Sequence, residues 1–179
     1  LSQFPLNLIA PTELDTVFRK TIVHGHVHDP GAAMLGGVAG HAGLFSNAYD
    51  LVRLMYCFRM GGIYGRSELL QSETVYQWTS RFDDDPKYRK ALGFDRPDSE
   101  RGEGPTCDQA SWSSFGHSGF TGTLTWADPD HDLVFVFLSN RIHPDAENRK
   151  LIQWNVRTEL QQIVYKSFGI SDRFRTNRD

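Results

Sequence analysis

The seven residues Gly116-His117-Ser118-Gly119-Phe120-Thr121-Gly122 combine three glycines, one histidine and two hydroxyl side chains. Glycines at the beginning of a strand allow a ligand to lie close against the backbone. A His–Ser–Gly triplet in that place offers one substrate a ring nitrogen, a hydroxyl group and free main-chain donors. This composition predicts one wall of a substrate site. The alternative is structural, with the glycines making room for a C-terminal helix.

Histidines provide a second group of candidates. His24, His26 and His28 alternate along a segment expected to be extended, so they share one face of it. With Asp29 nearby a metal site is conceivable, but zinc ligands usually come from separate elements and no second cluster is obvious. Hydrogen bonds to a neighbouring loop are therefore the favoured interpretation, and no metal is predicted.

His41 lies in the glycine-rich sequence Gly40-His41-Ala42-Gly43. A histidine in such a loop either approaches a ligand or braces the turn. Without an evident partner, the role of brace is favoured over that of catalytic base. We keep His41 as a candidate substrate-binding residue.

Composition excludes several classes of function. The net charge of −3, without a strong basic cluster, argues against nucleic-acid binding. The longest wholly apolar run, Leu133–Leu138, is far shorter than the roughly 20 residues of a membrane helix. No leader peptide, Gly-x-Ser-x-Gly elbow or lysine-containing phosphate loop is recognisable. No cofactor is predicted.

The chain has the length and the 39% hydrophobic content of one folded domain. Cys57 lies in an apolar helical pattern and Cys107 in a polar loop. Two free thiols are favoured over a disulfide between them.

The first half of the chain has a helical pattern interrupted by a glycine-rich loop. A capping box at Thr12-Glu13-Leu14-Asp15 predicts a helix to about Lys20, and residues 21–28 are expected to be extended. Glycines make residues 31–46 a predicted loop. Apolar spacing predicts a helix that follows Ser46 or Asn47 and ends at Gly61-Gly62, and a second helix over residues 72–79.

The second half has a strand pattern followed by a helical one. After a polar break at residues 83–86, three strands are predicted over residues 89–95, 115–127 and 133–139, with a turn at residues 128–132. A long terminal helix is predicted over residues 148–168 from Leu151, Ile152, Val156, Leu160, Ile163 and Val164. This order predicts an α+β fold in which helices pack on an antiparallel sheet.

Three segments resemble the serine β-lactamase and penicillin-binding-protein superfamily, in its class C-like esterase branch. They are Val27-His28-Asp29-Pro30-Gly31-Ala32, the segment Leu35-Gly36-Gly37-Val38-Ala39-Gly40-His41-Ala42-Gly43-Leu44-Phe45-Ser46, and Phe115-Gly116-His117-Ser118-Gly119-Phe120-Thr121-Gly122. Trp126-Ala127-Asp128-Pro129 and Leu138-Ser139-Asn140-Arg141 continue the resemblance in the same order. A β-lactamase/transpeptidase-like fold is therefore expected.

The resemblance implies acyl transfer by a serine of a Ser-x-x-Lys motif, assisted by a Tyr-x-Asn motif and a third motif on a strand. His117-Ser118-Gly119 matches the third motif. His117 would polarise the substrate or the tyrosine, and Ser118 would hydrogen-bond the substrate. The Phe120 N–H would belong to the oxyanion hole, with Thr121 beside the substrate.

The first two motifs are absent from these 179 residues. The resemblance therefore implies an incomplete domain: a late helical subdomain at about 1–85, sheet strands and the terminal helix at about 86–170, and a tail at 171–179. We expect a chain that is inactive alone, with the missing N-terminal half as its partner and self-association as a consequence of its exposed edge. The substrate would be an ester, an amide or a peptidoglycan-like fragment.

The resemblance is greatest to the domain that follows a glycoside hydrolase family 3 domain in bacterial β-N-acetylhexosaminidase-like proteins. This suggests an exported, for instance periplasmic, protein. It also leaves open a non-catalytic binding or structural module beside a glycosidase.

Overall fold

The computed structural model of the chain describes residues 4–83 and 88–174. After a short 3-10 turn at Leu6–Leu8, its elements are β1 (Pro11–Asp15), β2 (Thr21–His24), α1 (Pro30–Met34), α2 (Ala48–Arg59), β3 (Ile63–Tyr64), β4 (Ser67–Glu68), α3 (Ser72–Thr79), β5 (Phe115–Ser118), β6 (Leu124–Asp128), β7 (Leu133–Phe137), α4 (Lys150–Gln153) and α5 (Val156–Ser167). Helices and antiparallel strands share the chain, which confirms the predicted α+β class.

The central sheet has the order β5-β6-β7, and both of its strand pairs are antiparallel. Strand β6 supplies residues to the cores on both faces because successive side chains point to opposite sides of a strand. Leu124 and Trp126 are fully buried in a core that includes Tyr165 of α5. Ala127 packs in the other core, with Met55 of α2. The sheet thus lies between α2 and α5.

The helix predicted from residue 12 to Lys20 is wrong, because this segment begins an antiparallel β1/β2 hairpin. Asp15 ends β1 and its carboxylate accepts hydrogen bonds from the amides of Val17, Phe18 and Arg19 at 3.0, 2.8 and 2.9 Å. These bonds close a turn instead of a helix start, since short acidic side chains stabilise both. The extended conformation expected after residue 20 is confirmed for Thr21–His24, and Gly25 with φ of +69° follows.

The predicted loop over residues 31–46 is wrong in its first residues, which belong to α1. Asp29 caps this helix by accepting the Ala32 amide at 2.7 Å, and Pro30 occupies its first turn. Proline is tolerated there because the amide that it lacks has no helical partner. The predicted helices at α2 and α3 are confirmed, and α2 has the expected Asn47 cap with a 3.0 Å bond to the Asp50 amide.

The predicted strand over residues 115–127 is wrong, because a loop at residues 119–123 divides it into β5 and β6. The Gly119 amide donates to the Thr123 carbonyl at 2.8 Å, and Gly122 has φ of +106°, which reverses the chain. The expected turn at 128–132 is confirmed between β6 and β7. Residues 89–95 form only isolated bridges, because the Ala91 amide bonds the Phe94 carbonyl in a tight turn.

The single terminal helix predicted over residues 148–168 is wrong, because Asn155 adopts a left-handed conformation with φ of +49° between α4 and α5. Its predicted buried face also differs. Leu160 and Ile163 are 41% and 61% exposed, whereas Gln161 and Tyr165 are fully buried. Gln161 Oε1 accepts from the Thr106 hydroxyl and the Tyr165 hydroxyl donates to Asp128, each at 2.9 Å, and apolar spacing alone misplaced the face because it does not register such bonds.

Several expectations concern the edges of the fold. Both cysteines are buried free thiols, so the alternative disulfide is not formed. Residues 84–86 of the predicted break and 175–179 of the tail lie outside the described residues. The beginning of the tail packs on the fold, because Arg173 donates to the carbonyls of Cys107 and Asp98 at 2.7 and 2.9 Å.

The outer edge of the central sheet and the lengths of the helices complete the description of the fold. Within residues 4–83 and 88–174, β7 pairs with β6 alone, so its outer edge has no neighbouring strand. No helix of the described chain is long and apolar enough to cross a membrane. The division near residue 85 stays a prediction, with α1 to α3 before it and the central sheet after it.

Candidate functional site

The His–Ser–Gly triplet lies at the end of β5. His117 pairs with Thr125 and Ser118 with Leu124 of β6, and Gly119 opens the following loop. Gly116 is required by packing, since an added Cβ would lie 2.1 Å from the Thr125 carbonyl oxygen. The strand partner β6, and not the terminal helix, is therefore what this glycine accommodates.

The His117 side chain is exposed and the Ser118 side chain is half-buried. The His117 Nδ1 hydrogen-bonds the Ser118 carbonyl oxygen at 2.8 Å. Because a carbonyl only accepts, a neutral His117 carries its proton on Nδ1, and Nε2 keeps a free lone pair. The Ser118 hydroxyl makes no hydrogen bond within the described part of the chain. Both groups are thus available to a ligand.

The loop at residues 119–123 is held by its carbonyl oxygens. Arg157 Nη1 donates to the carbonyls of Gly119 and Thr123 at 3.3 and 3.0 Å. Arg141 Nε donates to the Phe120 carbonyl at 2.8 Å, and the Arg141 amide to the Thr121 carbonyl at 3.0 Å. The amides of Phe120 and Thr121 donate to no acceptor among the described residues. The loop therefore presents free N–H donors.

The Phe120 ring contacts two other side chains, although it remains 62% exposed. His28 stacks on it with centroids 4.9 Å apart and planes 12° apart. The Arg141 guanidinium lies 4.5 Å from its centroid, within cation–π range. His28 Nδ1 is 2.9 Å from a Glu13 oxygen, so the β1/β2 hairpin is tied to the site loop.

The other sequence candidates do not join the triplet. His41 is exposed, and its Nε2 lies 3.0 Å from the Asp29 carboxylate at the start of α1. The Ala32 amide and then His41 hold the pKa of Asp29 below its usual value. His41 thus has the brace geometry, and its role in substrate binding stays a prediction.

The three alternating histidines make separate contacts. His24 Nε2 bonds the Ile9 carbonyl at 2.6 Å, His28 contacts Glu13, and His26 is exposed. The described residues contain no group of three or more His, Cys, Asp or Glu side chains that could hold a metal ion. A ring hydrogen bond is therefore observed for His24, whereas His28 Nδ1 only lies within ion-pair distance of Glu13.

The site loop lies apart from two depressions of the described surface. These shallow depressions are lined by other segments, one around Asp145–Gln153 and one around Asp98–Glu103, and neither includes a residue of the loop. A loop outside both depressions needs further groups to enclose a substrate.

Sequence reasoning missed the two arginines that hold the loop. Arg141 belongs to the Leu138-Ser139-Asn140-Arg141 segment that carried part of the resemblance, but no contact was expected of it. Arg157 has no local signal, because the Gly119 carbonyl that it binds is 38 residues away in the chain.

Comparison with known proteins places the site in the context of a protein family. The family profile described as Beta-lactamase matches residues 10–157. Relatives named "Putative D-alanyl-D-alanine carboxypeptidase" from Salmonella typhi, Salmonella paratyphi B and Salmonella newport are each 39% identical over 155 residues. These alignments cover 80% of this chain and 35% of each relative, so the chain spans about a third of the length of the curated relatives it matches.

The family match includes the central sheet, the loop at residues 119–123 and Arg157. A strand that ends in His–Ser–Gly with an exposed His117, followed by a loop with free N–H donors, agrees with that match. This chain belongs to the beta-lactamase family.

Proposed function

We propose that this chain forms one wall of a serine acyl-transfer site that hydrolyses the terminal peptide bond of D-alanyl-D-alanine-type, cell-wall-derived peptides. One observation carries the proposal. The unpaired Ser118 hydroxyl and the unpaired Phe120 N–H lie two residues apart at the end of β5, where both can meet one substrate. The relatives' name supports the choice of substrate class.

In the proposed reaction, a serine hydroxyl outside these 179 residues attacks the carbonyl carbon of the terminal peptide bond. The π electrons move to the carbonyl oxygen, which becomes an oxyanion. The Phe120 N–H donates to this oxyanion, and such a donor is worth about 3–4 kcal/mol in the transition state. The oxyanion then re-forms the carbonyl as the C–N bond breaks, and the proton lost by the serine hydroxyl passes to the nitrogen of the leaving D-alanine. Water hydrolyses the acyl-enzyme, which releases the acid and returns a proton to the serine oxygen.

Two side chains assist in this proposal. The Ser118 hydroxyl hydrogen-bonds the substrate and fixes its position on the strand. The His117 Nδ1 donates to the Ser118 carbonyl, so its Nε2 is the atom available to accept a proton and, once protonated, to polarise the substrate. His41 would contribute only if a substrate reaches from β5 to the Asp29 end of α1.

The chain lacks both motifs that would supply and activate the nucleophilic serine. None of its serines is followed three residues later by lysine, and none of its tyrosines two residues later by asparagine. A site with an oxyanion donor and no nucleophile cannot form an acyl-enzyme. We therefore propose that these 179 residues alone are inactive and that the full-length gene product is the enzyme.

The test compares the full-length gene product with residues 1–179 alone. The assay measures D-alanine released from an N-acylated D-alanyl-D-alanine tripeptide, and turnover of p-nitrophenyl acetate as a substrate with an activated ester. The expected result is turnover by the full-length protein and none by the shorter chain. No turnover of either substrate by the full-length protein would refute the proposed function.

The missing part of the domain is also the proposed partner of the exposed surface. Strand β7 has a free outer edge, and an unpaired edge is a template for another strand. Large apolar side chains are exposed along one stretch of the chain: Met34, Leu35, Val38, Leu44 and Tyr49. We expect residues 1–179 alone to self-associate through the free edge of β7 and these apolar side chains. A monomer in multi-angle light scattering would count against this expectation.

The second candidate is a non-catalytic binding or structural module beside a β-N-acetylhexosaminidase. It is favoured only by the resemblance, and it predicts a full-length protein that lacks Ser-x-x-Lys and Tyr-x-Asn. The hydrolase proposal predicts both motifs upstream of Leu1. Because its substrate class lies in the cell wall, the hydrolase proposal also entails an exported protein.

A further inference from the structure

Hydrogen bonds to the Gly119 carbonyl oxygen fix the orientation of the Gly119–Phe120 peptide. The Gly119 carbonyl accepts a 3.0 Å hydrogen bond from the Gly122 amide and a 3.3 Å bond from Arg157 Nη1. In a trans peptide the C=O and the N–H point in opposite directions. The N–H of this peptide is that of Phe120, so it points away from the Arg157 guanidinium.

The next peptide is fixed in the same way. The Phe120 carbonyl accepts from Arg141 Nε at 2.8 Å, which turns the Thr121 N–H away from Arg141. Arg141 is itself held, because its Nη1 donates to the carbonyls of Ala146 and Asn148 at 3.0 and 3.1 Å. The loop is therefore fastened to a segment that is fixed by its own contacts.

Neither arginine forms an ion pair in the described part of the chain, and both direct their donors to main-chain carbonyls. Arg141 is buried, and desolvation followed by the like charge of Arg141 lowers the pKa of Arg157. Two cations that lie close together without a carboxylate are costly for stability alone. They make the potential at the loop positive, which favours a negatively charged oxygen beside the free amides.

We propose that Arg157 and Arg141 are positioning residues that direct the Phe120 amide into the acyl-transfer site by holding the carbonyl groups on either side of it. This inference rests on the proposed function. Arg157 acts on the peptide that contains the Phe120 N–H, whereas Arg141 fixes the next peptide and packs on the Phe120 ring. Neither residue needs to touch the substrate.

The kinetic test uses the full-length gene product with Arg157→Met, Arg157→Lys and Arg141→Lys, and with Arg66→Met as the control. Arg66 is exposed on the β3/β4 turn and makes no contact with the site loop among the described residues. Arg157→Met should lower kcat for D-alanine release about 10- to 100-fold, with KM changed less than about threefold. Arg157→Lys should recover at least part of that loss, because it restores a cationic donor. The smaller Arg141→Lys change should lower kcat in the same direction.

A second readout is independent of activity. Hydrogen exchange of the Gly119 and Gly122 amides, which are hydrogen-bonded within the loop, should quicken about tenfold in Arg157→Met relative to Arg66→Met when measured by mass spectrometry on the same proteins. Exchange of the β6 residues Leu124–Asp128 should stay unchanged. Faster exchange across the whole sheet would instead assign Arg157 a general structural role and would overturn the inference.

The two proposals fail separately. If the wild-type protein turns over no substrate, the proposed function fails, and the exchange experiment still decides whether Arg157 holds the loop. If the wild type is active and Arg157→Met keeps its kcat within about threefold, or changes only KM, the positioning inference is wrong while the proposed function stands.

Discussion

Asp128 joins three parts of the chain through one fully buried carboxylate. Its Oδ1 accepts from the Ser111 hydroxyl at 2.6 Å, and its Oδ2 accepts from the Ser111 amide at 2.9 Å. The His131 ring and the Tyr165 hydroxyl also bond Oδ2, each at 2.9 Å. The residue therefore holds the 111–114 loop, the β6/β7 turn and α5 together.

An Asp128→Asn substitution keeps the shape of the side chain and removes its charge. The amide oxygen can take the place of Oδ2, but its bonds to the three donors lose their charge assistance, which is worth about half of their strength. A bond to a charged group contributes about 1.5–3 kcal/mol and a neutral one about 1 kcal/mol. Over three bonds the free energy of unfolding should fall by about 3 kcal/mol.

Urea denaturation of residues 1–179 at pH 7 and at one fixed protein concentration, followed by tryptophan fluorescence, measures this loss. The matched control is Asp130→Asn, an exposed acid in the same turn, which should change the free energy of unfolding by less than about 0.5 kcal/mol. If Asp128→Asn and Asp130→Asn unfold at the same urea concentration, the carboxylate does not stabilise the fold, and the reasoning is refuted.

The stabilisation by the Asp128 carboxylate should also depend on pH. Burial alone would raise the pKa of Asp128, but hydrogen bonds from Ser111 and His131 outweigh it and hold the pKa below the ordinary value of 3.8. The ionised carboxylate thus adds stability that is present above about pH 4 and is lost as the pH falls through the lower folded-state pKa. The difference between wild type and Asp128→Asn should therefore shrink below about pH 4.

Two further predictions concern packing. Gly116→Ala should lower the free energy of unfolding by about 2–3 kcal/mol, because its Cβ would lie 2.1 Å from the Thr125 carbonyl oxygen. The control Gly40→Ala places its Cβ in open space and should leave the free energy of unfolding nearly unchanged. Equal urea midpoints for the two variants would contradict this prediction. Burial raises the pKa of Cys107 to about 11. Its thiol should therefore react with Ellman's reagent only after the protein unfolds. Rapid labelling of Cys107 in the folded protein at pH 8 would contradict this prediction.

Parts of the fold with a complete local signal were predictable. Helix α2 has an Asn47 cap, an apolar face and a glycine pair after its end, and each of these signals lies within the segment itself. The β1/β2 hairpin was missed because Asp15 serves as well in a turn as in a capping box. The division of β5 from β6 was missed because the reversal depends on the 2.8 Å bond between Gly119 and Thr123.

The residue types of the candidate site were proposed from the sequence, whereas the arginines that hold its loop could not be. His117, Ser118 and Gly119 form a compact motif that can be recognised in the sequence alone. His41 carries a similar signal, yet the contact it makes is with Asp29. Arg157 reaches the loop from α5, so only the folded chain brings it to the Gly119 carbonyl. Long-range hydrogen bonds of this kind leave no periodicity in the sequence.

The most direct test of the central claim is the effect of Ser118→Ala on kcat/KM for D-alanine release by the full-length gene product. Ser67→Ala, in the exposed strand β4, is the matched control. Loss of one hydrogen bond to the substrate predicts a value about 10- to 100-fold below that of the control. A kcat/KM within about threefold of the Ser67→Ala value would contradict the claim that β5 forms a wall of the active site.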